Sequence, residues 1–290
     1  MLLDEPIIRS EYLQSFLRSR LLPPQVMVEI GTGAISTPIL VKTAEELALK
    51  LYTVDVSPAN IEWARELTKG QKQVFPVCAK GEDFLRDFVE QIGFAYLDNY
   101  DWVDPGDPDA HKYPRGCSKR ESELVHLEQT MELVDLLSST GMVLFDDTWF
   151  LERQPPGSRY LRNKVDFRNI SNRQILEQYQ VFAKGSLAVP FLLCCGFEVL
   201  AVSERPHYTQ ILLGRPKSPF VEELPYDRDY FSNLLWEHRL ARYPARGPLV
   251  SQLSNIMRDL RLFTRHLRSR AQLRARLTRF VRALNLNRQP

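Results

Sequence analysis

Five acidic side chains and two glycines carry the chemistry this 290-residue sequence offers. Val28 to Thr37 reads V-E-I-G-T-G-A-I-S-T, so Glu29 stands just before a turn that contains Gly31 and Gly33. Glycine lets backbone approach a ligand closely, and a helix beginning beyond such a turn presents unpaired N–H groups. Further on, Y-T-V-D-V-S places Asp55 where a carboxylate can accept two hydrogen bonds from ribose hydroxyls. Together these residues read as a site for a nucleoside-type cofactor. The glycines alone would equally make a tight strand-to-helix turn.

A second constellation is F-A-Y-L-D-N-Y-D-W (Phe94 to Trp102) with M-V-L-F-D-D-T-W (Met142 to Trp149), two apolar runs that end abruptly in carboxylates. If both are parallel strands, Asp98, Asp146 and Asp147 lie at the same sheet edge as Gly31 and Asp55. Three oxygen donors suit a hard cation such as Mg²⁺ or Ca²⁺, which would lower the pKa of a substrate hydroxyl. The alternative for the same aspartates is turn capping at strand ends. Asp98, Asp101 and His111 are the candidate catalytic groups, with Lys112 beside His111. Tyr100, Trp102, Trp149 and Phe150 can floor an acceptor pocket or fill the core. Lys184 can meet an anionic substrate group or stay solvated.

The elements that must position these groups alternate between short apolar runs and helical patterns, which predicts an α/β, doubly wound, mostly parallel sheet. Expected strands are Val26–Glu29, Leu51–Asp55, Val74–Val77, Phe94–Asp98, Met142–Asp146, Phe197–Val202 and Tyr208–Leu213. Expected helices lie near Thr37–Leu49, Pro58–Lys69, Glu82–Glu90, Lys119–Leu137, Ser186–Cys195 and Tyr230–Leu240. Ser203 to His207 leaves room only for a turn, so the last two strands must pair antiparallel. Trp102–Ser118 and Thr148–Ala183 read as long loops at the ligand edge.

The order acid, glycine loop, acid, final antiparallel pair resembles class I S-adenosylmethionine-dependent methyltransferases over roughly Pro23 to Arg215. The resemblance implies a Rossmann-like fold and S-adenosylmethionine as cofactor, held by Glu29, Gly31, Gly33 and Asp55. C-A-K-G-E-D-F-L (Cys78 to Leu85) is similar to the segment that brackets the adenine, which implies Glu82 and Asp83 beside it. They serve equally as ordinary first-turn helix acids. The strand-end aspartates resemble those of metal-dependent catechol, caffeoyl-CoA and macrolide or sugar O-methyltransferases. That implies a metal at Asp98, Asp146 and Asp147 and an acceptor hydroxyl on a small molecule or glycoconjugate. Two positions depart from the pattern: Ile35 stands at the third glycine, and Asp101 stands where catechol-type enzymes place a lysine base.

Composition fits a cytosolic globular protein, with 44% hydrophobic and 26% charged residues and four cysteines without metal-ligand spacing. The opening M-L-L-D-E-P does not read as a leader peptide, and no apolar run is long enough to span a bilayer. Residues 1–216 are expected to form the methyltransferase-like domain and 217–290 a linker and helical tail. Ser251 to Pro290 holds ten Arg against Asp259, or +9, leaving −7 for the first 250 residues of a chain whose total is +2. Such a basic amphipathic tail can lie peripherally on an anionic membrane, bind a polyanion, or pack on the acidic body or a second subunit of a homo-oligomer. Besides a methyltransferase, the sequence admits a catalytically silent methyltransferase-like binding module and, more weakly, an NAD-dependent oxidoreductase.

Overall fold

β2 (Val26–Ile30) is buried at all five positions, which a strand can be only where both faces of its sheet are covered. In the computed structural model, which describes residues 1–99, 101, 118–153, 167, 170–205, 208–215, 224 and 226–242, this strand lies inside an eight-stranded sheet. The other members are β1 (Leu2–Leu3), β3 (Lys50–Asp55), β4 (Val74–Cys78), β5 (Ile92–Leu97), β6 (Leu137–Phe145), β9 (Glu198–Arg205) and β10 (Tyr208–Gly214). Their order is β1-β9-β10-β6-β5-β2-β3-β4. β10 runs antiparallel to both its neighbours, while the other pairings are parallel.

All seven expected strands are present, with ends shifted by a residue or two except β9, which runs three residues further to Arg205, and β6, which begins at Leu137 directly after its helix. Chain progression runs outward from β2 to β3 and β4, then returns to place β5 on the other side of β2. The sheet therefore reverses its winding between β2 and β5, and a crevice opens at the carboxyl ends of strands at such a point.

Period-two alternation divides the core between the two faces. Val26, Val28, Ile30, Ala95 and Leu97 face α4 (Gly81–Asp87), α5 (Lys119–Leu136) and α7 (Ala188–Cys194), through Leu85, Leu124, Leu127, Phe191 and Leu192. Met27, Phe94 and Tyr96 face α1 (Glu11–Arg20) and α2 (Ser36–Glu46), through Leu13, Leu17, Leu40 and Ala44. Side-chain caps set some of the helix starts. Ser57 caps α3 (Pro58–Leu67), which has Pro58 in its first turn, and Ser118 with Glu121 forms a capping box on α5.

The connection Thr148–Ala183, expected as a loop, is built instead around a two-stranded antiparallel ribbon, β7 (Thr148–Glu152) with β8 (Tyr179–Ala183), preceded by α6 (Asn172–Gln178). Phe150 is buried on Phe167, with ring centroids 4.5 Å apart, while Trp149 stacks on Phe182 on the opposite ribbon face. The run R-Q-P-P-G after the first ribbon strand reads as a loop and hides the strand before it.

The chain divides into two units, residues 1–235 and 236–290. α8 (Arg228–Arg242) contributes buried Phe231 and Leu235 to the first. The expected basic tail at 251–290 lies outside the described residues, as does the 216/217 boundary. No helix among the described residues is long and apolar enough to cross a membrane.

Candidate active site

Gly31 sits where β2 and β5 end side by side. Its N–H donates to the Val54 carbonyl at 2.8 Å, and its φ of +99° lies in a region that favours glycine. A Cβ here would collide with the carbonyl of Asp98. The glycine turn and the first strand-end aspartate, far apart in sequence, are thus in backbone contact.

Glu29 does not face the crevice. It is fully buried and accepts three hydroxyl hydrogen bonds, from Ser36 (2.6 Å), Thr37 (2.8 Å) and Thr53 (2.6 Å). Because Thr53 gives its proton to Glu29, Thr32 must donate to Thr53 across 2.7 Å. Thr37 Oγ1 also accepts the Gly33 N–H at 3.0 Å. The carboxyl therefore sets the loop through a layer of hydroxyls. Burial pushes its pKa up to about 7, against the lowering effect of those three donors. Ile35, at the third glycine position, has φ −100° and points to solvent, so no glycine is required there.

Asp55 ends β3 beside this turn. Its Oδ1 accepts from the Ser57 N–H (2.7 Å), and its Oδ2 accepts from the Thr32 N–H (3.1 Å) and Asn60 Nδ2 (3.2 Å). A carboxylate offers about four acceptor positions, so one remains for a ligand. At the next strand end, Gly81 is packed so closely that a Cβ would meet Ile30 and Gln129. Glu82 is buried and accepts from Gln129 Nε2 at 3.4 Å, whereas Asp83 is paired with Arg86 at 2.7 Å. Arg86 also reaches Glu128 and Glu132 on α5.

The strand-end aspartates are grouped differently from the expected metal set. Asp98, Asp101 and Asp147 surround the ammonium of Lys184, which lies 2.7, 2.5 and 3.0 Å from their oxygens. Lys184 is 1% exposed, so it is neither solvated nor available to a substrate anion. Burial works against its charge, but Asp98, Asp147 and Asp101 hold its pKa well above the ordinary lysine value. Asp146 is linked to Asp98 through Tyr96 rather than to the ammonium: its Oδ1 accepts from Gln210 Nε2 and its Oδ2 from the Tyr96 hydroxyl, both at 2.8 Å, and that hydroxyl lies 3.2 Å from Asp98 Oδ2. Burial, then repulsion from Asp98 and Asp147, raises Asp146 to about 7. Burial also pushes Asp98 upward, but the charge of Lys184 and its hydrogen bonds bring it below its ordinary value.

Oxygens of Asp98, Asp101 and Asp147 come within 4.8 Å of one another, the spacing of a cation site. The cation in that space is the lysine. As arranged, the residues do not fit a divalent ion, because Nζ occupies the position the ion would take and Asp146 is engaged elsewhere.

Strained backbone holds the arrangement. Asp147 (φ +44°) and Ala183 (φ +70°) both adopt left-handed conformations that non-glycine residues seldom take. Between them Thr148 Oγ1 donates to the Asp146 carbonyl at 2.8 Å and accepts the Gly185 N–H at 3.0 Å, tying the two corners together. Nearby on α5, buried His126 places Nδ1 2.8 Å from the Ser122 carbonyl. A carbonyl only accepts, so Nδ1 carries the proton, and Nε2 has no hydrogen-bond partner among the described residues. Burial, then the charge of Lys184, pushes His126 down to about 4.

The expected residues Glu29, Gly31, Gly33, Asp55, Glu82, Asp83, Asp98, Asp101, Asp146 and Asp147 all lie at the carboxyl edge of β2 to β6. His111, Lys112, Tyr100 and Trp102 lie outside the described residues. The sequence reading missed Tyr96, His126 and Gln210. Tyr96 had a signal, since period two puts it on the same face as Asp98.

A mostly parallel sheet reversing at β2/β5, with the antiparallel β10 inserted between β6 and β9 and a glycine turn at the reversal, decides the fold. It is the Rossmann-like methyltransferase fold. No family model matches the sequence, and no curated protein matches it. Solved structures follow a similar chain path. A methyltransferase-like protein from Streptococcus mutans in complex with SAH is 12% identical, with 74% of this chain and 99% of that one covered and a TM-score of 0.45. An rRNA methylase from Streptococcus thermophilus is 12% identical, with 75% and 100% covered and a TM-score of 0.43. The N-methyltransferase NodS from Bradyrhizobium japonicum WM9 is 15% identical, with 74% and 100% covered and a TM-score of 0.41.

Proposed function

We propose that the chain is an S-adenosylmethionine-dependent methyltransferase acting on a hydroxyl of a small metabolite or glycoconjugate. The observation that carries this reading is the backbone contact of Gly31 with Asp98, which joins a nucleoside-type loop to the strand-end carboxylates at the reversal of the sheet. The residues fit an adenosine: Asp55 retains acceptor capacity for a ribose hydroxyl, and Gly31 and Gly33 leave backbone bare beside it. S-adenosylmethionine, when bound, supplies a methyl group on a positively charged sulfur.

The chain's own part is alignment. Transfer is an in-line displacement, so placing the acceptor against the methyl carbon and excluding water provides most of what a protein can contribute. Asp98 stands next to the donor loop and, kept charged by Lys184, can accept the hydrogen bond of an incoming hydroxyl. Asp101 and Asp147, about half-exposed, extend that acidic edge toward solvent.

Calorimetric titration with S-adenosylhomocysteine tests the donor half. The wild-type chain is expected to bind it and Asp55→Ala to lose binding at least tenfold; equal affinities would refute the assignment. For the acceptor half, S-adenosylhomocysteine release is followed across a panel of hydroxyl- and amine-bearing small molecules. Donor binding without turnover on any of them would favour the silent binding module, and turnover only on amines would overturn the hydroxyl assignment.

A further inference from the structure

We infer that Lys184 is a built-in cation that stands in place of a divalent ion, drawing Asp98, Asp101 and Asp147 together and so positioning Asp98 at the donor loop. An ammonium has three N–H donors, and here three carboxylates take one each, at 2.7, 2.5 and 3.0 Å. Lysine is almost never fully buried without a partner, and this one has three.

Its placement is enforced from both sides. Ala183, immediately before it, is left-handed; Gly185, immediately after it, is packed so tightly that a Cβ would collide with Thr148. Asp147 reaches the ammonium from its own left-handed corner. Three carboxylates this close repel one another strongly and need a central positive charge, whether a metal or an ammonium. A divalent ion could enter only by displacing the ammonium of Lys184 from the three carboxylates it holds.

The cation role stands on these residues alone; the consequence for Asp98 rests on the methyltransferase reading. Lys184→Met keeps the side chain as far as Cε and removes the ammonium and its charge. In chelator it is expected to lower the folding equilibrium constant a hundredfold or more, as removal of one partner from a buried ion pair does. Millimolar Mn²⁺ or Mg²⁺ should raise its thermal midpoint, because the vacated centre is then a three-carboxylate cation site. Adding Asp98→Asn to Lys184→Met should recover stability in chelator and remove the metal response.

The wild-type chain, examined with Mn²⁺ by paramagnetic resonance, is expected to show no bound ion and no change of midpoint. Mn²⁺ bound by the wild type and lost in Asp147→Asn would overturn the inference, as would a Lys184→Met variant as stable as wild type in chelator. The wild-type arm holds even if the variants do not fold. Titration of the wild type with S-adenosylhomocysteine scores the donor reading separately, since that loop does not include Lys184.

Discussion

Replacing Glu29 by Gln tests whether the glycine turn is organised by a carboxyl that burial keeps reluctant to ionise. The side chain is fully buried, and its pKa is raised from 4.5 to about 7, with burial outweighing three hydroxyl donors. An acid raised in the folded state binds protons there more tightly than in the unfolded chain. The associated stability is therefore fully present below about pH 4.5 and is lost as pH climbs through about 7. The interval from 4.5 to about 7, at ~1.4 kcal/mol for each factor of ten in proton affinity, amounts to about 3 kcal/mol. Most of it, roughly 2.5 kcal/mol, falls between about pH 5 and about pH 8. Gln keeps the volume and cannot ionise, and the hydroxyls of Thr37 and Thr53 can turn to accept from its amide. Urea unfolding of both proteins at the two pH values gives the comparison. Glu29→Gln should gain on wild type by about 2 to 3 kcal/mol from acid to mildly alkaline pH, or roughly 5–10 °C in midpoint for a unit of this size. A difference that stays constant to within about 0.5 kcal/mol would mean that the hydroxyls hold the carboxylate charged and that burial is the weaker effect.

Two further outcomes follow from neighbouring groups. His126 is depressed from 6.5 to about 4 by burial and then by Lys184, so the unfolded chain takes the proton first. Its contribution is intact above about pH 6.5 and falls by about 3 kcal/mol as pH drops through about 4. His126→Asn, whose Nδ2 can replace Nδ1 at the Ser122 carbonyl, should flatten acid unfolding in that range; an unchanged acid limb would place the loss elsewhere. Gly31→Ala should abolish S-adenosylhomocysteine binding and lower the midpoint more than Gly70→Ala. Gly70 also has positive φ (+88°), but nothing lies near the added methyl, so it meets only the backbone cost of ~1–2 kcal/mol. Equal effects in the two variants would show that the Asp98 carbonyl yields easily.

The sheet was legible because its central strands are short apolar runs closed by turn residues, and Ser203–His207 is too brief for a crossover. The glycine turn was legible for the same reason: Glu29, Gly31 and Asp55 each end or follow such a run. What escaped was set by tertiary path. Asp146 and Asp147 are adjacent in sequence, and nothing in it says which turns to Gln210 and which to Lys184; the left-handed corner at Asp147 decides. Lys184 meets Asp98 across 86 residues, by way of a ribbon whose proline-rich connection reads as loop. The isolated Lys in F-A-K-G-S-L-A-V-P-F-L-L was a signal, since a charge between apolar runs needs a partner if it is buried.

The two halves of the site handle negative charge in opposite ways, and the join between them limits what either can change. On the side of the glycine turn Glu29 is surrounded by neutral hydroxyls, so its charge is only weakly favoured and the loop depends on hydrogen-bond geometry. On the other side Asp98, Asp101 and Asp147 share one ammonium, so that geometry depends on Lys184. Gly31 against the Asp98 carbonyl couples the two, because β2 and β5 cannot separate without exposing Ile30 and Leu97, both buried. A substitution that widens the carboxylate cluster should therefore weaken nucleoside binding without touching a nucleoside contact. Glu29→Gln, by contrast, should leave the cluster around Lys184 in place.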